Sequence, residues 1–138
     1  MAETPYCLAM VLCDRVHKDP ATGKFTILGT FSTFQVREFP TLIQFSVYFA
    51  ITDGIGQTNM KLRLINSEAL VDESDDVFVF EPEPVDIESP LVVVESVIAV
   101  QTKVDRPGQY HCELYANDEL LMSRRLLVLE AKQPSDEE

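Results

Sequence analysis

Leu42-Ile43-Gln44-Phe45-Ser46-Val47-Tyr48-Phe49-Ala50-Ile51-Thr52 is the stretch on which the fold turns. Phe45, Val47, Phe49 and Ile51 alternate with Gln44, Ser46, Tyr48 and Thr52, which puts the apolar set inward on one face of a β-strand. The same period recurs in both directions. Upstream, residues 6–16 carry Cys7, Ala9, Val11 and Cys13 on one face and Leu8, Met10 and Leu12 on the other. Both faces are apolar, so this strand is expected against two layers or beneath a flap. Lys18-Asp19-Pro20-Ala21-Thr22-Gly23 is a turn cluster, and Phe39-Pro40 ends a strand over residues 25–36 in which Gly29 marks a bulge or a close backbone approach. Downstream, Asp53-Gly54-Ile55-Gly56 predicts a hairpin, with Met60, Leu62 and Leu64 alternating with Lys61 and Arg63 in the returning strand. Further strands are expected over residues 77–80, 91–102, 109–116 and 120–129, the last two joined by Asn117-Asp118. No segment sustains helical spacing, and residues 68–76 suggest at most one helical turn.

About seven or eight short strands with frequent turns predict a sandwich or barrel. Asp105-Arg106-Pro107-Gly108-Gln109-Tyr110-His111-Cys112 decides between them. It resembles the entry to the sixth strand of immunoglobulin domains, where a tyrosine two residues before a cysteine folds its hydroxyl back onto the chain at a corner. Tyr110, Cys112 and Leu114 then face the core, and His111, Glu113 and Tyr115 face out. The expected fold is all-β, an immunoglobulin-like antiparallel sandwich of about seven or eight strands. One domain over residues 1–130 is followed by an acidic tail, 131–138, that reads as disordered. The chain has no tryptophan, and no cysteine stands where a partner strand would supply one, which separates it from secreted immunoglobulin domains.

Eleven basic residues against twenty-three acidic ones leave a formal charge of −12. Phosphate backbones and anionic membranes repel such a surface, so neither nucleic acid nor membrane is an expected partner. Arg124-Arg125 is the nearest approach to a basic patch. The opening Met-Ala-Glu-Thr-Pro lacks the basic start and apolar run of a signal peptide, and a cytoplasmic location is expected. The three cysteines agree. Cys7 and Cys13 share one strand, about 20 Å apart, and cannot bridge; Cys112 could in principle reach either, but reduced, buried thiols are expected.

Cys13-Asp14, Thr22-Gly23-Lys24 leading to Gly29 and Phe31, Phe39-Pro40, Thr52-Asp53-Gly54-x-Gly56, Leu62-Arg63-Leu64 and Pro107-Gly108-x-Tyr110 are turn and core positions along most of the chain. In these the sequence resembles an uncharacterised bacterial family of small β-sandwich proteins. The resemblance implies a fold and a bacterial, cytoplasmic setting, and it implies no activity.

Candidate chemistry is thin. His17 and His111 are the two histidines, one in an expected turn and one on an outward strand face, and no Gly-x-Ser-x-Gly elbow accompanies them. His111 and Cys112 point to opposite faces of a strand and cannot share a zinc ion. Gly54-Ile55-Gly56 has no lysine at phosphate-loop spacing. The acidic stretch is richer: Glu68, Asp72, Glu73, Asp75, Asp76, Glu81, Glu83, Asp86 and Glu88 occur with no Lys or Arg among them. Their spacing is not that of an EF-hand, so a calcium site is disfavoured against a basic protein partner or a solvated loop. Between the acids lies Val77-Phe78-Val79-Phe80, followed by Pro82 and Pro84, the pattern of a protected sheet edge to which a partner strand could add.

The expected function is a non-enzymatic protein-binding or assembly module of bacterial origin, with no cofactor and no metal. Its partner surface is expected at Asp72, Glu73, Asp75, Asp76, Phe78 and Phe80, with Tyr110 as a structural corner. One alternative is an accessory subunit of a larger complex. The other is a metal-dependent carbohydrate binder or hydrolase, with Tyr48 and Tyr115 as the aromatic candidates for a sugar platform.

Overall fold

The computed structural model describes residues 3–67 and 76–131. The elements in chain order are β1 (Tyr6–Lys18), β2 (Phe25–Thr30), β3 (Thr33–Val36), β4 (Thr41–Thr52), β5 (Gly56–Thr58), β6 (Met60–Asn66), β7 (Asp76–Phe80), β8 (Val85–Ile87), β9 (Val94–Val104), β10 (Gly108–Ala116) and β11 (Glu119–Glu130). They form a four-stranded sheet in the order β2-β1-β4-β9, a five-stranded sheet in the order β3-β11-β10-β6-β7, and a small β5-β8 ribbon. The chain is all-β, with no helix among the described residues. One core joins the inner faces of the two large sheets: Met10, Leu12, Phe45, Val47 and Val100 from one, Leu62, Leu64, Cys112, Leu114 and Leu126 from the other. Burying the apolar side of each alternating strand against the other sheet is the main force that stabilises such a stack.

The alternation of β4 holds throughout: Phe45, Val47, Phe49 and Ile51 are buried, opposite β1 on one flank and β9 on the other. The described residues form eleven strands where about seven or eight were expected. Residues 25–36 are two strands, because the chain leaves the four-stranded sheet after Thr30 and enters the five-stranded one at Thr33. The short β5 and β8 make up the difference. The sheets are also not wholly antiparallel, since β3 runs parallel to β11, pairing Leu127 with Thr33 through Glu130 with Val36.

Four further expectations are corrected. Asp53-Gly54-Ile55-Gly56 does not close a hairpin: β4 lies in one sheet and β6 in the other. Asp53 and Gly56 do adopt positive φ, 62° and 84°, but they turn the chain across the sandwich edge instead of back along its own strand. The true two-residue hairpin is Asn117-Asp118, both at positive φ, with Ala116 opposite Glu119. The faces of β1 exchange at Leu8, an extra residue in the ladder, so Cys7 and then Met10 and Leu12 point inward. The third concerns residues 91–93, which precede β9 instead of opening it. His17, expected in a turn, sits in β1 opposite Thr26. The expected helical turn falls mainly on residues 68–75, outside the described residues, as do residues 132–138 of the tail.

The outward side of β1 is covered as its composition predicts. Cys13 pairs with Ser46 on the outer face yet is fully buried, and the Phe25 ring from β2 reaches Tyr48 at 5.7 Å between centroids. The β1-β2 arm therefore folds over part of that face. Its bend lies at Gly29, where φ is +72° and an added Cβ would stand 2.2 Å from an Asp14 carboxylate oxygen.

Candidate functional site

β7 is an edge strand that among the described strands forms a ladder with β6 alone, with Leu62 opposite Phe80, Arg63 opposite Val79 and Leu64 opposite Phe78. Val77 and Phe78 are half-buried against the core. Val79 and Phe80 are 47% and 42% exposed, a large apolar area to leave in water on a strand with an open flank. The flank is held at its start, where the Thr102 hydroxyl of β9 donates to the Val77 carbonyl at 3.1 Å. At its far end the chain passes through Glu81, Pro82 and Pro84 beside a cleft of about 370 Å³ that also takes in Lys61 and Asp118. Lys61 lies 3.6 Å from Asp118 and over the Tyr115 ring, while Glu81 has no ion-pair partner among the described residues.

Of the expected partner surface, Asp72, Glu73 and Asp75 lie outside the described residues. Asp76 is already engaged: its carboxylate accepts from Arg63 Nε at 2.8 Å and Nη2 at 2.6 Å. Arg63 also donates to the Tyr115 hydroxyl at 3.2 Å, and that hydroxyl donates to Glu113 at 2.7 Å. The Asp76 interaction, ahead of the cost of burial, holds the Arg63 guanidinium above its ordinary range. Asp76 thus anchors the start of β7, and the acids available to a ligand near Phe80 are Glu81 and Glu83.

Tyr110 occupies the expected corner. Its ring is 1% exposed and its hydroxyl donates to the Arg106 carbonyl at 2.7 Å. Cys112 and Leu114 are buried beside it on β10, and His111, Glu113 and Tyr115 face outward.

Tyr48 and Tyr115 do not form one aromatic platform. Tyr48 lies on the outer face of the four-stranded sheet and Tyr115 on the outer face of the five-stranded sheet, so the core separates them. Each hydroxyl is spent on a neighbour, Tyr48 on Glu95 and Tyr115 on Glu113. Burial, then donation to the Glu95 carboxylate, pushes the Tyr48 hydroxyl up to about 12. Among the described residues, no three His, Cys, Asp or Glu side chains gather closely enough to hold a metal ion.

The sequence offered no sign of a polar cleft of about 300 Å³ lined by Asp14, Gln44, Ser46 and Gln101, nor of the clefts between β1 and β11. Both arise where strands distant in sequence lie side by side. The outward Gln44 and Ser46 were legible one by one, and their grouping with Asp14 depends on the bend of the β1-β2 arm.

The architecture defines an all-β chain of two stacked sheets with an exposed apolar edge. Residues 8–129 match the model of a family of unknown function (DUF6941), and the chain belongs to that family. No curated protein matches it. Among solved structures it is similar to the Pseudomonas fluorescens alkylpurine DNA glycosylase AlkC bound to DNA containing an abasic site analog. The TM-score is 0.54 at 8% identity, over 87% of this chain and 30% of that one. It is also similar to the CARDB domain of a Pyrococcus furiosus protein in complex with di-metal ions, at TM-score 0.43 and 10% identity, over 94% of this chain and 97% of that one. At such identities the first likeness is one of fold.

Proposed function

We propose that the chain is a non-enzymatic protein-binding or assembly module of the bacterial cytoplasm, built on an immunoglobulin-like sandwich, that takes a basic segment of a partner along β7. The observation that carries the reading is the flank of β7 left open among the described residues, where exposed Val79 and Phe80 stand beside Glu81. An extended partner segment would find backbone groups, an apolar contact and a negative charge in one line. The Tyr110 corner and the division of β1, β4 and β9 from β6, β10 and β11 support the immunoglobulin-like assignment. The acidic surface supports a basic partner, attracted faster at low salt than at high.

The test replaces Phe80 with a photo-crosslinking phenylalanine in the native host. The expected result is a discrete adduct to a protein segment rich in Lys or Arg, diminished when salt is raised to about 1 M, where the screening length falls to about 3 Å. Charge removal at Asp72, Glu73, Asp75, Glu81 and Glu83, with Asp76 kept for Arg63, should weaken the adduct without loss of stability. No adduct at position 80, or one indifferent to both salt and these acids, refutes the reading.

A further inference from the structure

β9 is the outermost strand of the four-stranded sheet, and among the described strands it forms a ladder with β4 alone. Its eleven residues pair with β4 from Val94 opposite Ile51 to Val104 opposite Thr41, without a register shift. Prolines and bulges are the usual devices that keep an edge strand from pairing with another chain. β9 has neither, and its one lysine, Lys103, stands next to its end. Thr102 reaches Val77 of the facing sheet through its side chain, from the inner face, and leaves the backbone along the edge untouched.

Which backbone groups face outward follows from the phase of the ladders. The Leu12 carbonyl accepts the Phe31 amide, so Leu12 turns its backbone groups away from β4. Leu12 lies opposite Val47, and Val47 lies opposite Ile98. Bonding alternates along antiparallel strands, so Val47 turns away from β1 and bonds Ile98. The amides and carbonyls of Glu95, Val97, Ala99, Gln101 and Lys103 then point off the edge of the sheet. None of these backbone groups has a hydrogen-bond partner among the described residues. The side chains of the same five residues line the outer face of the sheet, and all but Val97 are exposed.

We propose that β9 pairs with the β9 of a second copy of this chain, antiparallel about a two-fold axis at Ala99, so that two four-stranded sheets join into one. Charge complementarity fixes the occupant. The axis at Ala99 sets Glu95 opposite Lys103 of the second copy, Val97 opposite Gln101 and Ala99 opposite its own equivalent. Every residue in these pairs has its backbone groups free, and each pair would exchange two hydrogen bonds. Opposite charges directly across a ladder attract, and the two-fold makes the same contact twice. Moving the axis to Val100 would set Glu95 against Asp105, and moving it to Ile98 would leave Glu95 opposite Gln101 and Lys103 opposite Val93. In a chain of charge −12 that repels its own copies, this row carries one acid and one base and so brings no two acids into register. The inference does not rest on the β7 reading, which concerns the other sheet.

Sedimentation equilibrium of the whole chain should show a dimer at about 100 μM that dissociates on dilution. Glu95→Lys should weaken it about tenfold or more, because like charges then meet at both ends of the ladder, and Lys103→Glu should do the same. The double variant restores opposite charges and should recover most of the loss, which a variant that merely folds badly would not do. Ala99→Cys should link two copies under mild oxidation, since the Cα atoms of such a pair lie about 5.5 Å apart, within disulfide reach. Val97→Cys, about 14 Å from its equivalent, should not. The three native cysteines are buried and do not compete. The proposal is overturned if the chain stays monomeric over this range, if the double variant dimerises no better than the single ones, or if Ala99→Cys cross-links no faster than Val97→Cys.

Discussion

Tyr110→Phe removes one oxygen from a fully packed position and leaves the ring in place. The ring fills the core beside Cys112 and Leu114, and phenylalanine fills the same volume, so no cavity term enters. The loss includes the hydroxyl's bond to the Arg106 carbonyl, whose 2.7 Å length is that of a well-formed O–H···O contact. One such bond contributes about 0.5–1.5 kcal/mol net. Arg106 lies in an exposed turn, so water can solvate the released carbonyl, which places the expected loss near the middle of that range, about 1 kcal/mol. For a chain of this size the melting temperature should fall by about 3–5 °C. Urea denaturation of the two proteins checks it: the midpoint should drop while the slope stays constant. Tyr115→Phe is the control, because its hydroxyl lies between Glu113 and Arg63 at the surface and should matter less. Coincident midpoints for wild type and Tyr110→Phe would show that the corner bond adds nothing to the fold.

Two other perturbations follow from the structure. Burial pushes the Cys112 thiol up from 9.0 to about 12, so above pH 9 the unfolded chain releases this proton while the folded chain keeps it. That part of the stability is complete below pH 9 and falls by about 1.4 kcal/mol per pH unit towards pH 12, so Cys112→Ala should flatten the alkaline limb of a denaturation profile. Thiol titration of the unfolded chain without reductant should count three free cysteines. Gly29→Ala combines a left-handed φ with a clash against Asp14 and should destabilise by about 1–3 kcal/mol in chemical melts. Adding Asp14→Ala should return only the share due to the clash, and full recovery would contradict the backbone argument.

How much was legible in the sequence follows from which interactions are local. The alternation of β4 announces its buried face, and Tyr110 announces its corner through a motif eight residues long. Positive-φ chemistry at Asp53 and Gly56 marked a turn correctly but not its destination, because the same dihedrals serve a hairpin and a crossing between sheets. The two apolar faces of β1 foretold a cover, and the β1-β2 arm supplies it over Cys13 and Tyr48. The exchange of faces at Leu8 was invisible, since a bulge obeys no period. The expected partner surface was read from clustered acids and the apolar run of residues 77–80, and the engagement of Asp76 by Arg63 required knowing that β6 lies beside β7. The seam between β1 and β11 joins residues more than a hundred positions apart, which no local pattern can report.

The parallel pairing of β3 with β11 has a mechanical side. Tension applied at the C-terminal end of β11 would draw that strand one way, and tension arriving at the N-terminal end of β3 would draw its neighbour the other way. Parallel strands pulled from opposite ends slide along each other, so the four pairs from Leu127–Thr33 to Glu130–Val36 would be strained together instead of opening in turn. The antiparallel hairpin of β10 and β11, pulled at its open end, would unzip one pair at a time. Tension that reached these two ends would therefore load this short parallel ladder in shear.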